Sequence, residues 1–152
     1  MQVVANAQAL AKCLTEQGYK MSTGGSDNHL LLWDLRSQDV TGSKMQAACD
    51  AAHITLNMNS VAGDTSALTP GGVRIGMPAM TSRGLKEADF VTIGGFLHRA
   101  VGICKAVQAS HGKKLVDFKK GLAEAAEVQT LRAEVEAFAA SHPMPGFATE
   151  GL

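Results

Sequence analysis

The sequence predicts an α+β fold, in which a short sheet is covered by helices. One helix, a strand, a second helix, two further strands and two long helices follow one another along the chain. Its 152 residues suffice for one unit with a buried core but are too few for two large ones. We therefore expect a single layer of strands packed against helices.

The first third of the chain contains two helices with a strand between them. Apolar residues at helical spacing predict a helix over residues 3–14, and Gly18 suits its C-terminal end. Residues 29–35 predict a strand whose nearly continuous apolar side chains indicate burial on both faces. A second helix is expected after Thr41, which is a favourable N-cap residue.

Residues 54–59 alternate between apolar and polar side chains, as in a half-buried strand. The alternation places Met58 with the core-facing residues and Asn57 and Asn59 on the opposite face. Residues 60–72 then form a thirteen-residue loop without periodicity. Loops of that length inside compact domains are usually functional or disordered.

Arg74 is the most informative residue of the chain. Residues 73–76 predict a short strand in which Arg74 lies on the face away from the core. If this strand pairs with the preceding one, Arg74, Asn57 and Asn59 converge on a single face. A guanidinium pairs with a carboxylate through two parallel hydrogen bonds, and amides suit the edge of a heterocycle. On spacing alone, a solvent-facing edge with turn asparagines is the favoured interpretation.

The second half of the chain is predicted to be helical. A short helix is expected over residues 78–84, a long one over 86–110 and a final one over 113–140. Gly94 and Gly95 lie in the middle of the long helix, where each costs about 1 kcal/mol relative to alanine. We therefore expect close packing of a neighbouring element against both glycines.

Composition and charge argue against several classes of function. Fourteen basic residues balance fourteen acidic ones, so we expect neither a nucleic-acid partner nor a membrane partner. The three cysteines, Cys13, Cys49 and Cys104, are far apart and lie on apolar helical stripes, which predicts buried thiols in a reducing, intracellular compartment. We expect no metal ligands.

No serine–histidine–acid set or pair of carboxylates stands out along the chain. We therefore expect no catalytic residue within this chain. We expect the chain to contribute binding groups to a site whose reactive group lies elsewhere.

Six runs of residues carry a resemblance to a known family: TGGSDNHL at 23–30, DLR at 34–36, LNMNSVAGD at 56–64, SALTPGGVRIG at 66–76, PAMTSRG at 78–84 and PMPGF at 143–147. These runs resemble the C-terminal third of serine hydroxymethyltransferase, and the likeness covers essentially all 152 residues. The resemblance implies that residues 1–152 form the small C-terminal domain of a fold-type I pyridoxal-phosphate enzyme, with a short, mostly antiparallel sheet covered by helices. The N-terminal cofactor-binding domain is expected to be absent from this chain.

The resemblance also implies an activity for the full-length protein. Enzymes of this family interconvert serine plus tetrahydrofolate with glycine plus 5,10-methylenetetrahydrofolate, using pyridoxal 5'-phosphate. The implied partners are these small molecules and further copies of the enzyme in a homodimer or homotetramer. Cytoplasm, mitochondrion and plastid are all compatible locations.

By the family's pattern, Arg74 binds the carboxylate of the amino-acid substrate. Asn59 matches the asparagine that contacts the pterin, and Ser66, Ala67 and Leu68 match a loop that contacts folate. These assignments follow from the resemblance, and the one for Arg74 agrees with the chemistry of a guanidinium on a non-core face.

Three departures from the family qualify this interpretation. None of the nine lysines has the sequence context of the Schiff-base lysine, so the isolated chain is expected to be inactive and to bind no cofactor covalently. Ala62 replaces a usual proline in the folate loop, and Met77 replaces a usual helix-capping threonine, a loss worth about 1 kcal/mol. The alternative is a short non-catalytic protein that binds folate or amino acids, or interacts with the full-length enzyme.

Overall fold

The computed structural model describes residues 2–21, 30–61, 70–76, 81, 84–112 and 114–141. These residues form five α-helices and four strands, an order that confirms the predicted α+β class. In chain order they are α1 (Gln2–Glu16), β1 (Lys20–Met21), β2 (Leu30–Asp34), α2 (Gly42–Ala51), β3 (Asn57–Asn59), β4 (Gly72–Gly76), α3 (Glu87–His111), α4 (Leu115–Glu124) and α5 (Ala126–Ala140).

The sheet has the strand order β1-β2-β4-β3, and every neighbouring pair is antiparallel. Burial alternates along β4, where Val73 and Ile75 are buried while Arg74 and Gly76 are exposed. Such alternation is expected when helices cover only one face of a sheet. The predicted short, mostly antiparallel sheet covered by helices is confirmed.

The core lies between the inner face of the sheet and the helices. Leu31, Trp33 and Val73 are fully buried there, and α1 and α2 contact the strands directly. Tyr19 packs edge-to-face on Trp33 with ring centroids 5.0 Å apart. Helix α3 packs in turn against α1, α2, α4 and α5, which makes it the central helix of the structure.

Helix α3 is also long and apolar enough to cross a membrane, judged by length and composition alone. However, 44% of its apolar window is buried inside the protein, and helices that form a protein core pass the same test. Its length is therefore weak evidence for a membrane span, and its packing accounts for its apolar residues.

Two predicted helix boundaries are confirmed by their local geometry. Gly18 adopts φ 92° just after α1, a left-handed conformation that glycine adopts without steric cost. The Thr41 side chain accepts a hydrogen bond from the Lys44 amide at 3.3 Å, as an N-cap of α2 should.

Both predictions for the first two long strands need correction. Residues 29–35 were expected to be buried on both faces, but the strand is Leu30–Asp34 and Leu32 is partly exposed, because no helix among the described residues covers that face. The strand expected over residues 54–59 is limited to Asn57–Asn59. The alternation placed Met58 on the core-facing side, but its side chain is 47% exposed. The reason is that β3 is the terminal strand and lies at the rim of the helical layer.

The single helix expected over residues 113–140 is two helices, with a break at Ala125 (φ −76°, ψ 117°). The apolar stripe changes phase there: six residues separate Leu122 from Val128, which leaves them about a third of a turn apart on an ideal helix. A break allows both residues to be buried. The short helix predicted over residues 78–84 lies outside the described residues, apart from positions 81 and 84.

The two mid-helix glycines of α3 differ in their surroundings. A Cβ added at Gly94 would lie 2.6 Å from Sγ of Cys13 on α1, which confirms the expected close packing. A Cβ added at Gly95 would meet nothing within 4 Å, so the expectation for Gly95 is wrong.

This difference predicts opposite effects of the same substitution. Gly95→Ala is expected to raise the free energy of unfolding by about 0.5–1 kcal/mol through helix propensity. Gly94→Ala is expected to lower it by about 1–3 kcal/mol through overpacking, and Cys13→Ala should relieve that loss in the double variant. Urea unfolding of the three variants measures these changes; equal effects at both glycines would contradict the packing described here.

Candidate functional site

The sheet face away from the helices carries the residues that the sequence singled out. Arg74 on β4 pairs in register with Leu32 on β2 and with Asn57 on β3. Directly opposite residues of antiparallel strands extend to the same side of the sheet. The strand pairing needed to bring Arg74 and Asn57 together is therefore present. We call this surface the open face.

The side chain of Arg74 is exposed on the open face. Within the described ranges, it makes no ion pair and no hydrogen bond with another side chain. An arginine that stabilised the fold through a partner would show such a contact. The guanidinium is instead available to a ligand, and its planar set of donors matches a carboxylate.

An acidic residue, Asp34, also lies on the open face, but it pairs with cations other than Arg74. Asp34 is 3% exposed and receives hydrogen bonds from Arg36, Nε to Oδ1 at 3.1 Å and Nη2 to Oδ2 at 2.9 Å. Lys20 Nζ lies 3.9 Å from Oδ2 of the same residue. The hydrogen bond from the Arg36 side chain holds the pKa of Asp34 below its usual value, although burial opposes this shift. The negative charge of Asp34 is thus balanced by Arg36 and Lys20, and Asp34 forms no ion pair with Arg74.

Asn57 and Asn59 lie in different settings on the same strand. Asn57 is exposed directly opposite Arg74, whereas Asn59 is half-buried opposite Gly72. The Asn59 amide donates from Nδ2 to the Ser60 carbonyl at 2.7 Å. Because Asn59 is diagonal to Arg74 across the ladder, a ligand that touches one side chain comes within reach of the other.

The remaining predicted site residues, Ser66, Ala67 and Leu68, lie outside the described residues, as do Ala62 and Met77. The chain on either side of the loop is described. Val61 is buried before it, and after it the Pro70 carbonyl accepts a hydrogen bond from the Gly42 amide at 2.8 Å. Both sides of the loop are therefore attached to the folded core near β3 and β4.

Two buried residues outside the predicted site hold neighbouring parts of the chain together, one beside β4 and one on α1. Gly42 begins α2 so close to β4 that an added Cβ would collide with the carbonyl oxygen of Gly72. Asn6, fully buried on α1, donates 2.9 Å hydrogen bonds from Nδ2 to the Leu85 carbonyl and the Thr81 hydroxyl. A polar residue on the apolar stripe of α1 was the available signal for Asn6, whereas Gly42 gave none.

The described residues of the open face offer binding groups. Among them no three histidine, cysteine or acidic side chains cluster as metal ligands. Burial raises the pKa of the Cys104 thiol to about 12 and that of Cys49 well above its usual value. Both thiols are therefore protonated and poorly nucleophilic at neutral pH. The chemistry that this part of the chain supports is recognition of an anion beside two amides.

Comparison with known proteins identifies the family of the chain. Residues 1–97 match the family model described as serine hydroxymethyltransferase. The chain is 56% identical over 146 residues to serine hydroxymethyltransferase 4 of Arabidopsis thaliana, covering 96% of this chain and 31% of the relative. It is 47% identical over 151 residues to cytosolic serine hydroxymethyltransferase of Oryctolagus cuniculus, covering 95% of this chain and 31% of the relative.

A serine hydroxymethyltransferase of Plasmodium falciparum (isolate 3D7) is 44% identical over 142 residues, 93% of this chain and 32% of the relative. The chain thus spans about a third of the length of these curated relatives and corresponds to their C-terminal part. The matched residues include β2, β3 and β4, which form the open face. The chain belongs to the serine hydroxymethyltransferase family.

Proposed function

We propose that this chain is the small C-terminal domain of an enzyme that interconverts serine plus tetrahydrofolate with glycine plus 5,10-methylenetetrahydrofolate. In this proposal Arg74 binds the carboxylate of the amino acid. One observation carries it: the Arg74 guanidinium is exposed on the open face, in register with Asn57 and without an acidic partner among the described residues. Membership of the serine hydroxymethyltransferase family supports the choice of these substrates.

Arg74 suits both amino acids because serine and glycine share the carboxylate and differ only in the side chain. A bidentate arginine–carboxylate pair fixes the orientation of the amino acid as well as its affinity. Orientation matters for this reaction, since the bond that breaks or forms lies at the α-carbon next to that carboxylate. Arg74 is therefore assigned a binding and orienting role.

The proposed folate contacts are Asn59 and the segment Ser66, Ala67 and Leu68. The position of Asn59 supports its part, because it lies diagonal to Arg74 and directly before the loop that contains the other three residues. An amide both donates and accepts hydrogen bonds, which matches the alternating edge of a pterin. The two substrates would then meet above β3 and β4.

The open face by itself does not fit pyridoxal 5'-phosphate. Its described lysine, Lys20, lies on β1 at the opposite edge of the sheet from β3 and is ion-paired with Asp34. A covalently attached cofactor needs a lysine beside the amino-acid site, so that residue must come from the rest of the protein. When bound, this cofactor supplies an electron sink for chemistry at the α-carbon. We accordingly propose that the isolated chain has no activity.

A second candidate is a short non-catalytic protein that binds folate or amino acids or interacts with the full-length enzyme. For either candidate we propose an intracellular location. The relatives include one named cytosolic and one named chloroplastic, so family membership does not choose the compartment. For the full-length enzyme we propose a homodimer or homotetramer.

Calorimetry with the isolated chain separates the two candidates. An enzyme part is expected to bind neither glycine nor tetrahydrofolate measurably, because half of each site is missing. A stand-alone binding protein would bind tetrahydrofolate, and its Arg74→Ala variant would lose glycine binding alone. Measurable binding to the isolated chain would contradict the first candidate.

A chimera provides the positive test. The chimera consists of the Arabidopsis serine hydroxymethyltransferase 4 chain with its matching C-terminal part replaced by these 152 residues. At 56% identity the replaced part should pack in the same way, and the chimera is expected to convert serine to glycine in the presence of tetrahydrofolate. A folded, cofactor-loaded chimera without activity would overturn the proposal.

A further inference from the structure

A groove with a volume of about 560 Å³ lies between α2, β3, α4 and α5. This volume is within the range of small-molecule sites. Met58 and Leu115 line the groove and are 47% and 39% exposed, two of the four strongly exposed large apolar side chains among the described residues. Because successive side chains of a strand point to opposite sides, Met58 places the groove on the side of the sheet away from the open face. Exposed apolar side chains that share a groove are typical of a binding site.

Arg132 lines the same groove and is held in a defined orientation. Its Nε donates a 2.8 Å hydrogen bond to the carbonyl of Ala51, the last residue of α2. Among the described residues, the two terminal nitrogens of Arg132 have no hydrogen-bond or ion-pair partner. These two nitrogens match the two oxygens of a carboxylate. Because the guanidinium is already fixed through Nε, Arg132 loses little further side-chain freedom when it binds an anion.

Two further charged side chains line the groove, Lys119 on α4 and Asp50 on α2. Both are exposed, and neither forms an ion pair within the described part of the chain. With Arg132, the lining therefore carries two positive charges and one negative charge. Gln46 also lines the groove, but its side-chain oxygen already accepts a hydrogen bond from the Met58 amide. The groove thus attracts an anion, and Asp50 opposes part of that attraction.

The combination of an apolar wall and two cations defines the chemistry of the ligand. A purely apolar ligand would remove water from Arg132 and Lys119 without replacing the lost hydrogen bonds, which costs free energy. We propose that the groove binds a small molecule that carries a carboxylate on an apolar body. Arg132 and Lys119 bind the carboxylate, while Met58 and Leu115 contact the apolar body. None of these residues belongs to the open face, so the assignment does not depend on the proposed amino-acid and folate contacts.

Octanoate is the probe for this site, because it joins a carboxylate to an apolar chain that the groove can hold. The measurement is a titration of the isotope-labelled 152-residue chain, followed by the NMR shifts of its backbone amides. The shifts are expected to be concentrated at the residues that line the groove. The Kd of octanoate is expected to be about ten-fold lower than that of n-octanol, the value of one charge-assisted hydrogen bond at the lower end of its range. Acetate, which lacks the apolar body, is expected to cause no measurable shift.

Charge substitutions in the groove are expected to change the Kd of octanoate in opposite directions. Arg132→Gln should raise it about ten-fold, and Lys119→Gln about three-fold because Lys119 is exposed. Asp50→Asn should lower it about two-fold, since it removes the charge that repels the carboxylate. Lys120→Gln is the matched control: Lys120 is the next residue of α4, equally exposed, but does not line the groove. It should leave the Kd unchanged.

Three results would overturn the inference. Octanoate that causes no shift in the groove has no site there, and n-octanol that binds as tightly as octanoate would remove the carboxylate from recognition. Equal losses in Lys119→Gln and Lys120→Gln would reduce the effect to the general charge of α4. Arg132→Gln also removes the hydrogen bond to Ala51, so this variant can lose structure. Lys119→Gln and Asp50→Asn then decide the question, because the proposal requires their effects to be opposite in sign.

Discussion

Replacing Arg74 by lysine in the cofactor-loaded chimera is expected to raise the KM for serine about 10- to 150-fold. Lysine keeps the positive charge but loses the planar fork, and one charge-assisted hydrogen bond is worth about 1.5–3 kcal/mol. Binding of serine and glycine should weaken to the same extent, so the Kd for glycine should rise by a similar factor. Steady-state kinetics and equilibrium binding measure the two effects.

Arg99→Lys is the matched control for this substitution. Arg99 lies on α3, where its Nη1 is 2.5 Å from Oε2 of Glu134, on the helical side of the molecule. The same chemical change there should leave the serine KM within about two-fold, because exposed ion pairs contribute little. An unchanged KM in Arg74→Lys would remove Arg74 from the amino-acid site.

Gly42→Ala is expected to lower the free energy of unfolding by about 3 kcal/mol or more. The added methyl group would collide with the Gly72 carbonyl, which is backbone of β4 and cannot rotate away as a side chain could. Relief requires α2 to move from β4, the strand that also carries Arg74. Chemical denaturation of the isolated chain and far-UV circular dichroism detect the loss.

Gly102→Ala provides the comparison for Gly42→Ala. Gly102 lies within α3, and a Cβ there would meet nothing within 4 Å. This substitution should stabilise the protein by about 0.5–1 kcal/mol through helix propensity. A Gly42→Ala variant as stable as the unchanged chain would show that α2 does not approach β4 as closely as described.

Local signals predicted the parts of the fold that depend on neighbouring residues in sequence. Thr41 and Gly18 marked helix ends because capping and left-handed backbone are short-range preferences. The α+β class followed from the order of periodic segments. The break at Ala125 was missed because neither glycine nor proline marks it, and the phase change between Leu122 and Val128 is the one sequence signal near it.

The arrangement of side chains on the open face was predictable to a similar degree. Alternation placed Arg74 and Asn57 off the core face, but only the sheet register shows that they are direct partners. Exposure at Met58 could not be predicted, since alternation does not tell a terminal strand from a central one. The close approach at Gly42 depends on two segments far apart in sequence, so no local pattern encodes it.

The hydrogen bond between Gln46 and the terminal strand has a consequence for how the isolated chain behaves at high concentration. The Gln46 side-chain oxygen accepts from the Met58 backbone amide at 2.7 Å. Strands at a sheet edge pair with strands of other molecules through backbone amides that have no partner. The Met58 amide is already hydrogen-bonded to Gln46. With only three residues in β3, lateral growth of the sheet into fibrils has little template on that side.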